Sequence, residues 1–271
     1  MVNLGMPRLS IIIVTYNSAS HIGACLQSII ERPPQVDYEI LVVDNASNDG
    51  TAATVRTRWT GVRVLDAGEN LGFAAANNLG IRQSSAPLVL LLNPDTVVGA
   101  GSIDALVGVI DRRSDVGIAG PRLVDASGRA ELSWGLMLSP WAEVRQQVVS
   151  RWAESLTRRE REVEWVSGAC MLVRREAAEA AGLMDERYFM YAEDVDFCAA
   201  VRALGWKVLF TPSAQVTHAR GQSRATAFTE TERAYRRSQI AFYEKHHPRW
   251  AVWLRWYLKA KGRLPDKPLK R

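Results

Sequence analysis

Residues 9–18 read LSIIIVTYNS and residues 38–50 read YEILVVDNASNDG. Each stretch begins as a β-branched, apolar run with the length of a buried strand, and each ends in Asn, Ser or Asp residues that favour a turn or a helix start. Helical patterns follow, up to about Glu31 in the first case and over Thr51–Trp59 in the second. Strands that alternate with helices predict an α/β fold with a parallel sheet.

The alternation continues along the chain and then loosens. Val62–Leu65 and Leu88–Leu92 are predicted strands, with a predicted helix over Phe73–Ser84 between them. Beyond Asp111, the pattern predicts strands over Val116–Val124, Trp165–Arg174 and Lys207–Pro212, a helix over Pro140–Glu162, and a loop that leads into a helix over Tyr188–Leu204. We therefore predict a mostly parallel sheet flanked by helices.

Composition excludes several classes of protein. The chain has 271 residues, 47% of them hydrophobic, which is enough for one large core. No uncharged apolar run approaches the roughly 18 residues that a membrane-spanning helix needs, and residues 1–7 lack the pattern of a signal peptide. Three scattered cysteines without a Cys-x-x-Cys pair argue against a disulfide framework or a cysteine zinc site. We expect a globular protein of the reducing cytoplasm.

The C-terminal residues differ in charge from the rest of the chain. Residues 233–271 contain 12 Lys or Arg and two acids, whereas the preceding residues contain 22 basic and 27 acidic side chains. Within this tail, apolar residues follow the spacing of one helical face, namely Trp250, Trp253, Leu254, Tyr257 and Leu258. This face either packs on the body or lies in a membrane interface, and the charge segregation favours an anionic membrane surface. His246 and His247 are predicted to lie on the surface.

Polar residues concentrate where a ligand is expected. In parallel α/β sheets ligands bind beyond the carboxyl ends of the strands, which here fall at residues 15–18, 44–50, 66–70 and 93–95. The loop at Asp44 is either a helix cap with Asx turns or a pocket in which the Asp44 carboxylate accepts the N3–H of a pyrimidine. Asp95 is either a turn residue or a ligand of Mg²⁺ or Mn²⁺, because a carboxylate beside a diphosphate needs a divalent cation between them.

Two later sites, the acids near residue 194 and His218, also have both a structural and a functional interpretation. Glu193, Asp194 and Asp196 precede a predicted helix, where acids favour the helix dipole, yet one of them could also act as a general base. His218 follows the last predicted strand, and a lone histidine is more often structural than a ligand. The loop after the first strand, Thr15–Ser18, is not glycine-rich, which argues against a sugar-phosphate nucleotidyltransferase and a dinucleotide-dependent dehydrogenase.

Six stretches, in this order, resemble the family 2 glycosyltransferases of the GT-A fold. They read SIIIVTYN (10–17), VDNASNDG (43–50), NLGFAAANN (70–78), LNPDT (92–96), SGA (167–169) and YAED (191–194), and they span most of residues 9–223. The resemblance implies an enzyme with a GT-A catalytic domain over residues 1–232. A donor half would extend to about residue 120 and an acceptor half over 121–232, followed by a basic, aromatic, helical tail over 233–271.

The resemblance also implies roles for individual residues. Asp44 would bind the pyrimidine, Asp95 would ligate the metal, and Asp194 would be the catalytic base with Glu193 in support. Asn93 stands where the first acid of the family's Asp-x-Asp motif often lies, and His218 resembles a late metal-contacting histidine. The expected donor-binding residues are Thr15, Tyr16, Asn17, Asp44, Asn45, Asn70, Gly72, Asn77, Asn93 and Asp95, and the expected acceptor-binding residues are Trp165, Gly168 and Tyr191.

The Asn-Pro-Asp-Thr and Glu-Asp-Val-Asp stretches resemble those of bacterial rhamnosyltransferases. This implies inverting transfer of L-rhamnose from dTDP-rhamnose, with a UDP-sugar as the alternative donor. The acceptor would be a cell-surface glycan or a polyprenyl-diphosphate-linked precursor at the inner face of the membrane, and no nucleic-acid partner is expected. Two alternatives stay open, a non-catalytic subunit that binds nucleotide sugar or glycan and a sugar-phosphate nucleotidyltransferase, although the presence of Asp44, Asp95 and Asp194 argues for turnover.

Overall fold

A computed structural model describes residues 6–137, 153–219 and 228–265. The N-terminal part alternates strands and helices as predicted. Its elements are β1 (Leu9–Thr15), α1 (Ile22–Ile30), β2 (Tyr38–Asp44), α2 (Thr51–Arg58), β3 (Arg63–Asp66), α3 (Phe73–Arg82), β4 (Leu88–Leu92), β5 (Thr96–Val98) and α4 (Ser102–Arg112). The following elements are β6 (Val116–Val124), β7 (Ala130–Glu131), β8 (Trp134–Gly135), α5 (Ala153–Leu156), β9 (Arg161–Val163), β10 (Trp165–Val166), β11 (Cys170–Arg174), α6 (Arg175–Ala180), α7 (Glu193–Ala203), β12 (Lys207–His218), α8 (Phe228–His246) and α9 (Pro248–Ala260).

One large sheet runs through the protein. Its strand order is β3-β2-β1-β4-β11-β6-β12-β5. Strands β3, β2, β1 and β4 are parallel, whereas β11 enters between β4 and β6 antiparallel to both. The predicted α/β class is confirmed, and the sheet as a whole is mixed, because β6 and β12 also pair in parallel whereas β11 and β5 pair antiparallel with their neighbours. Because β1, β2 and β4 are parallel, their carboxyl ends lie at the same edge of the sheet.

The core lies on both faces of this sheet. Side chains of a strand alternate between faces, so Ile11 and Ile13 of β1 join one apolar cluster and Ile12 and Val14 join another. Helices α1 and α4 contribute to the first cluster, and α3 and α7 contribute to the second. Full burial of each such aliphatic side chain contributes roughly 1.5–3 kcal/mol, which makes the central strands a firm base for the loops that follow them.

Three predicted elements differ from the structure. Most of the predicted helix Pro140–Glu162 lies outside the described residues, and of its remainder only Ala153–Leu156 is helical, while Arg161–Val163 pairs with β12 as a strand that buries Val163. The predicted strand Trp165–Arg174 is broken at residues 167–169, because its first part pairs with β8 and its second part with β4 and β6. The last predicted strand continues past Pro212 to His218.

Proline explains why β12 was predicted too short. Pro212 has no N–H for a sheet hydrogen bond, so the sequence indicates an end to the strand there. In the structure, the register between β12 and β6 shifts between Thr211 and Gln215, and this irregularity accommodates the proline. The strand then extends to His218, where it pairs with β5.

The C-terminal tail forms two helices. Helix α8 begins at Phe228, so the predicted boundary at residue 233 falls within it. The predicted apolar stripe of α9 is split: Leu258 is buried against the protein, whereas Trp253 is 71% exposed. None of the helices in the described ranges is long and apolar enough to cross a membrane.

Candidate active site

The loops after β1 and β2 are joined by hydrogen bonds. The parallel register places Thr15 beside Asp44, and the Thr15 hydroxyl donates to Asp44 Oδ1 at 3.1 Å. The N–H of Ser47 donates to the other oxygen, Asp44 Oδ2, at 3.0 Å. Asn17, in a left-handed conformation, donates its N–H to Ser47 Oγ and accepts the N–H of Asn48, both at 2.9 Å. The buried Asp44 carboxylate is thus held in one orientation at the mouth of the sheet.

Three of the predicted donor residues shape the loop before α3. Asn45 Nδ2 donates to Asn70 Oδ1 at 2.9 Å, and Asn70 Oδ1 also accepts the Gly72 N–H at 3.1 Å. Gly72 has φ +83°, and a Cβ there would lie 2.5 Å from the carbonyl oxygen of Phe189. Only glycine permits this approach, which brings the start of α3 against the segment that precedes α7.

The remaining two predicted donor residues near these loops differ in exposure. Asn77 is buried within α3, where its Nδ2 donates to the Phe73 carbonyl oxygen at 2.9 Å. Its side chain therefore already has a partner one turn earlier in the same helix. Tyr16, in contrast, is 51% exposed, so its ring is accessible at the end of β1.

Strand pairing brings Asp95 and His218 together. Strand β5 pairs antiparallel with β12, which places His218 opposite Thr96, and the N–H of Ala219 donates to the Asp95 carbonyl oxygen at 2.9 Å. His218 Nε2 lies 3.3 Å from Asp95 Oδ1, and both side chains are largely buried, with 15% and 17% exposed. Two side chains that are 123 residues apart in sequence thus meet at the ends of two neighbouring strands.

The residues at this point suit a hard divalent cation. Asn93 Oδ1 is buried and has no hydrogen-bond partner in the described part of the chain. A carboxylate oxygen of Asp95, this amide oxygen and the His218 imidazole are ligands that Mg²⁺ or Mn²⁺ accepts. The described ranges contain no cluster of three or more His, Cys, Asp or Glu side chains that could hold a metal ion. These residues therefore fit a metal ion that takes its other ligands from a bound diphosphate and water.

The sequence did not indicate a second acid near His218. Glu131, on the two-residue strand β7, places Oε2 4.0 Å from His218 Nδ1, which is itself buried without a hydrogen-bond partner in the described ranges. A carboxylate on this side of a metal-binding histidine commonly orients the ring. Nothing local to Glu131 signals this position, since it depends on the pairing of β7 with β6.

Asp194 and Glu193 begin α7 but occupy different environments. Asp194 is partly exposed, whereas Glu193 is 6% exposed. Asp194 Oδ2 accepts the Gly168 N–H at 2.9 Å and Oδ1 accepts the Val195 N–H at 2.8 Å. A Cβ on Gly168 would lie only 3.3 Å from the Cβ of Asp194, so glycine allows this contact without displacement. Of the two acids, Asp194 is the more exposed.

The chain enters α7 through strained backbone. Tyr191 and Ala192 both have positive φ values, 71° and 66°, which non-glycine residues rarely adopt. Consecutive left-handed residues of this kind persist only where the surroundings impose them, and they are commonest at functional sites. Here they turn the chain so that both acids fall in the first helical turn.

Burial changes the protonation of both acids. It raises the pKa of Asp194 above its ordinary value, although the N–H groups of Gly168 and Val195 act in the opposite direction. Burial raises the pKa of Glu193 well above its ordinary value, and the neighbouring charge of Asp194 adds to that rise. Glu193 Oε2 has no hydrogen-bond partner in the described ranges. The pair thus combines an accessible carboxylate with a buried acid that retains its proton more readily.

A short turn connects the candidate base to the candidate metal ligands. The N–H of Asn93 donates to the carbonyl oxygen of Ala169 at 2.9 Å, and the adjacent Gly168 donates to Asp194. The other two predicted acceptor residues, Trp165 and Tyr191, each have a partner within the protein. Trp165 donates its indole N–H to Leu136 at 2.8 Å, and the ring of Tyr191 meets the ring of Tyr235 edge-on at 5.9 Å.

Asp196, the third acid of this segment, is buried and hydrogen-bonded within the protein. It is 1% exposed and accepts hydrogen bonds from the Tyr188 hydroxyl at 3.2 Å and Lys245 Nζ at 2.8 Å. His246 Nε2 lies 2.6 Å from Asp196 Oδ1, so this histidine, although its side chain is 27% exposed, has a buried partner. The sequence concealed this pair because the two residues lie 50 positions apart.

Comparisons with known proteins identify the family of the chain. A family model described as "Glycosyltransferase like family 2" matches residues 7–252. The chain is 34% identical to the N-acetylglucosaminyl-diphospho-decaprenol L-rhamnosyltransferase of Mycobacterium tuberculosis, in an alignment 283 positions long that covers 93% of this chain and 89% of the relative.

Solved structures show the same fold. The mannosyltransferase PcManGT of Pyrobaculum calidifontis, in complex with GDP-Man and Mn²⁺, matches with a TM-score of 0.63 at 19% identity, covering 93% of this chain and 69% of that one. GalNAc-T7 with UDP, GalNAc and Mn²⁺ matches with a TM-score of 0.62 at 18% identity, covering 98% and 60%. Since the family match covers most of the chain, the protein belongs to glycosyltransferase family 2 and is a GT-A glycosyltransferase.

Proposed function

We propose that the enzyme transfers L-rhamnose, with inversion, from dTDP-rhamnose to a hydroxyl of a polyprenyl-diphosphate-linked sugar. The observation that carries this proposal is the partly exposed Asp194 carboxylate, joined through the turn at Gly168 and Ala169 to the loop that holds Asn93 and Asp95. The rhamnosyltransferase relative, which is similar over nearly its whole length, supports the choice of sugar and acceptor class.

Transfer would be a single in-line displacement. Asp194 takes the proton of the acceptor hydroxyl while that oxygen attacks the anomeric carbon, and the bond from this carbon to the diphosphate breaks on the opposite face. The configuration inverts and no bond to the enzyme forms. Because burial raises the pKa of Asp194, the carboxylate is a stronger base than an exposed aspartate. Glu193, the adjacent buried acid, stays protonated more readily and would help to hold Asp194 in position.

The donor would occupy the mouth of β1, β2 and β4. Asp44, fixed by Thr15 and Ser47, accepts the N3–H of the base, and Tyr16 and Asn17 lie beside it on the accessible loop. Thymine and uracil both present an N3–H, so this contact admits a UDP-sugar as the alternative donor and disfavours cytosine and adenine, which have no imino N–H to donate. Asn45, Asn70 and Gly72 maintain the shape of the adjoining loop.

The cation would be Mg²⁺ or Mn²⁺, held by Asp95 with His218 and Asn93. When bound, it supplies positive charge that stabilises the departing diphosphate. Trp165, Gly168 and Tyr191 would border the acceptor. An acceptor of this class resides in the membrane, and we propose that the enzyme works in the cytoplasm at the inner face of the membrane.

A donor screen tests the proposal. The enzyme is incubated with dTDP-rhamnose, UDP-sugars or GDP-mannose, with Mg²⁺ or Mn²⁺, and with a short-chain polyprenyl-diphosphate-linked N-acetylglucosamine. Release of dTDP that depends on the acceptor, together with a product heavier by one deoxyhexose, is expected. Preference for GDP-mannose would refute the proposed pyrimidine donor. Binding of donors without any release would favour a non-catalytic subunit, and pyrophosphate release from dTTP and a sugar phosphate would favour a nucleotidyltransferase.

A further inference from the structure

Helix α9 has an outward face that is dominated by aromatic side chains. Its inward residues Ala251 and Leu258 are 4% and 1% exposed. Five large apolar side chains point outward, namely Trp250, Val252, Trp253, Trp256 and Tyr257, with exposed fractions of 47%, 63%, 71%, 72% and 58%. We call these five residues the outward face. Such a contiguous exposed apolar patch marks an interaction surface.

The inward side of α9 packs on α8 and joins a buried cluster that reaches the proposed catalytic acids. Ala251 belongs to a buried cluster with Ala192 and Val195, which flank Glu193 and Asp194 in sequence, and Leu254 packs against the same cluster. The end of α8 in turn contacts Asp196, two residues after Asp194. The outward face is therefore connected, through α8 and this cluster, to the segment that carries the proposed base.

The charges around the outward face are basic. Residues 248–263 contain five charged side chains and no acid, the five being Arg249, Arg255, Lys259, Lys261 and Arg263. Arg255 pairs with Glu244 at 2.6 Å and Arg263 lies 3.8 Å from Glu232, both of them acids of α8. A second copy of this chain would bring the same basic helix against this one, and the like charges would repel. An anionic surface is the complementary partner.

The side chains themselves indicate which anionic surface it is. Trp and Tyr have an apolar ring and a polar tip, and they concentrate where lipid chains meet headgroups. An amphipathic helix with such a face and basic flanks lies in the plane of a bilayer interface. We infer that the outward face of α9 inserts at headgroup depth into an anionic bilayer, with Arg249, Lys259 and Lys261 on lipid phosphates. Binding itself needs no substrate, whereas its use in reaching a lipid-linked acceptor rests on the proposed function.

Sedimentation with lipid vesicles, without donor or acceptor, tests the inference separately from the proposed function. The full chain is mixed with vesicles of phosphatidylcholine alone or with phosphatidylglycerol, at low and high NaCl. The variants are Trp253→Ser/Trp256→Ser and Lys259→Gln/Lys261→Gln. Leu204→Ser is the matched control, since Leu204 is 51% exposed after α7. Circular dichroism and gel filtration establish that each variant is folded and report its oligomeric state.

We expect binding to anionic vesicles that weakens at high salt. The tryptophan variant should lose at least about tenfold in affinity, which corresponds to about 1.4 kcal/mol. The lysine variant should lose its preference for anionic lipid, and Leu204→Ser should bind as the wild type does. Equal sedimentation of the tryptophan variant and the wild type, or no binding by the wild type, would overturn the inference. A wild-type dimer that the tryptophan substitutions dissociate would assign the outward face to a second copy instead.

Discussion

Replacement of Asp194 by Asn removes the proposed base while it preserves the size of the side chain. The two carboxylate oxygens accept the N–H groups of Gly168 and Val195, at 2.9 and 2.8 Å. An amide has a single oxygen, so one of these N–H groups would face an NH₂ group and lose its acceptor. An unsatisfied buried donor costs about 1–3 kcal/mol. The loss of a buried charge acts in the opposite direction, because burial already raises the pKa of Asp194. We therefore expect destabilisation near the lower end of that range.

The effect on turnover should be larger. Loss of a general base lowers the rate by about 10²–10⁴-fold, which corresponds to about 2.7–5.4 kcal/mol. Glu193→Gln is the matched control, because burial raises the pKa of Glu193 well above its ordinary value and glutamine resembles the protonated acid. This variant should retain turnover within about threefold of the wild type. The two adjacent positions thus separate loss of the base from general disturbance of α7.

The assay combines steady-state transfer, dTDP calorimetry and a pH profile. Donor affinity should be nearly unchanged in both variants. In the wild type, kcat/KM should rise with pH through a pKa above the ordinary range of aspartate, because the base must be deprotonated and burial raises its pKa. This acid limb should persist in Glu193→Gln and disappear from the residual activity of Asp194→Asn. The reasoning is refuted if Asp194→Asn turns over nearly normally, or if Glu193→Gln loses as much activity with intact donor binding.

Three further substitutions test other parts of the site. Asp95→Ala should remove most of the dependence of dTDP affinity on divalent cations, measured by calorimetry with and without EDTA; a wild type with equal affinity in both would contradict a metal role. Asp44→Ala should weaken dTDP and UDP but not ADP, whose base has no imino N–H, and a parallel loss for ADP would indicate misfolding. Asp196→Ala should lower the free energy of unfolding by about 1–3 kcal/mol because the buried Tyr188 hydroxyl loses its acceptor, whereas Lys245 keeps its ion pair with Asp185. In chemical denaturation, Asp185→Ala should have a smaller effect, since the Asp185 side chain is 23% exposed.

The parallel half of the fold could be predicted because its signals are local. The apolar runs that became β1, β2 and β4 are short, buried and followed directly by polar residues. Once those strands are taken as parallel, their carboxyl ends must share one edge, which places the loops of Asp44 and Asp95 together. The hydrogen bond between Thr15 and Asp44 follows from the same register.

The rest of the site depends on pairings that no local pattern contains. His218 reaches Asp95 because β12 passes Pro212 through a register shift and then pairs with β5. The sequence predicted an end to the strand at the proline, so only the family resemblance indicated a role for His218. The turn at Gly168 and Ala169 was likewise hidden inside a single predicted strand, although it connects the two halves of the candidate site.

Asp196 explains how the C-terminal helices are fixed to the catalytic segment. Lys245 and His246, in the last turn of α8, both contact Asp196, which lies two residues after Asp194. Removing one partner of a buried ion pair is strongly unfavourable, so these contacts hold the end of α8 on the first turn of α7. Only His247 separates α8 from α9. Because the linker is one residue long, α8 and α9 can move little relative to each other. The outward face of α9 should therefore keep a fixed orientation relative to Asp194. If the protein binds a bilayer through the outward face, the Asp194 carboxylate should stay at a constant distance from the lipid surface.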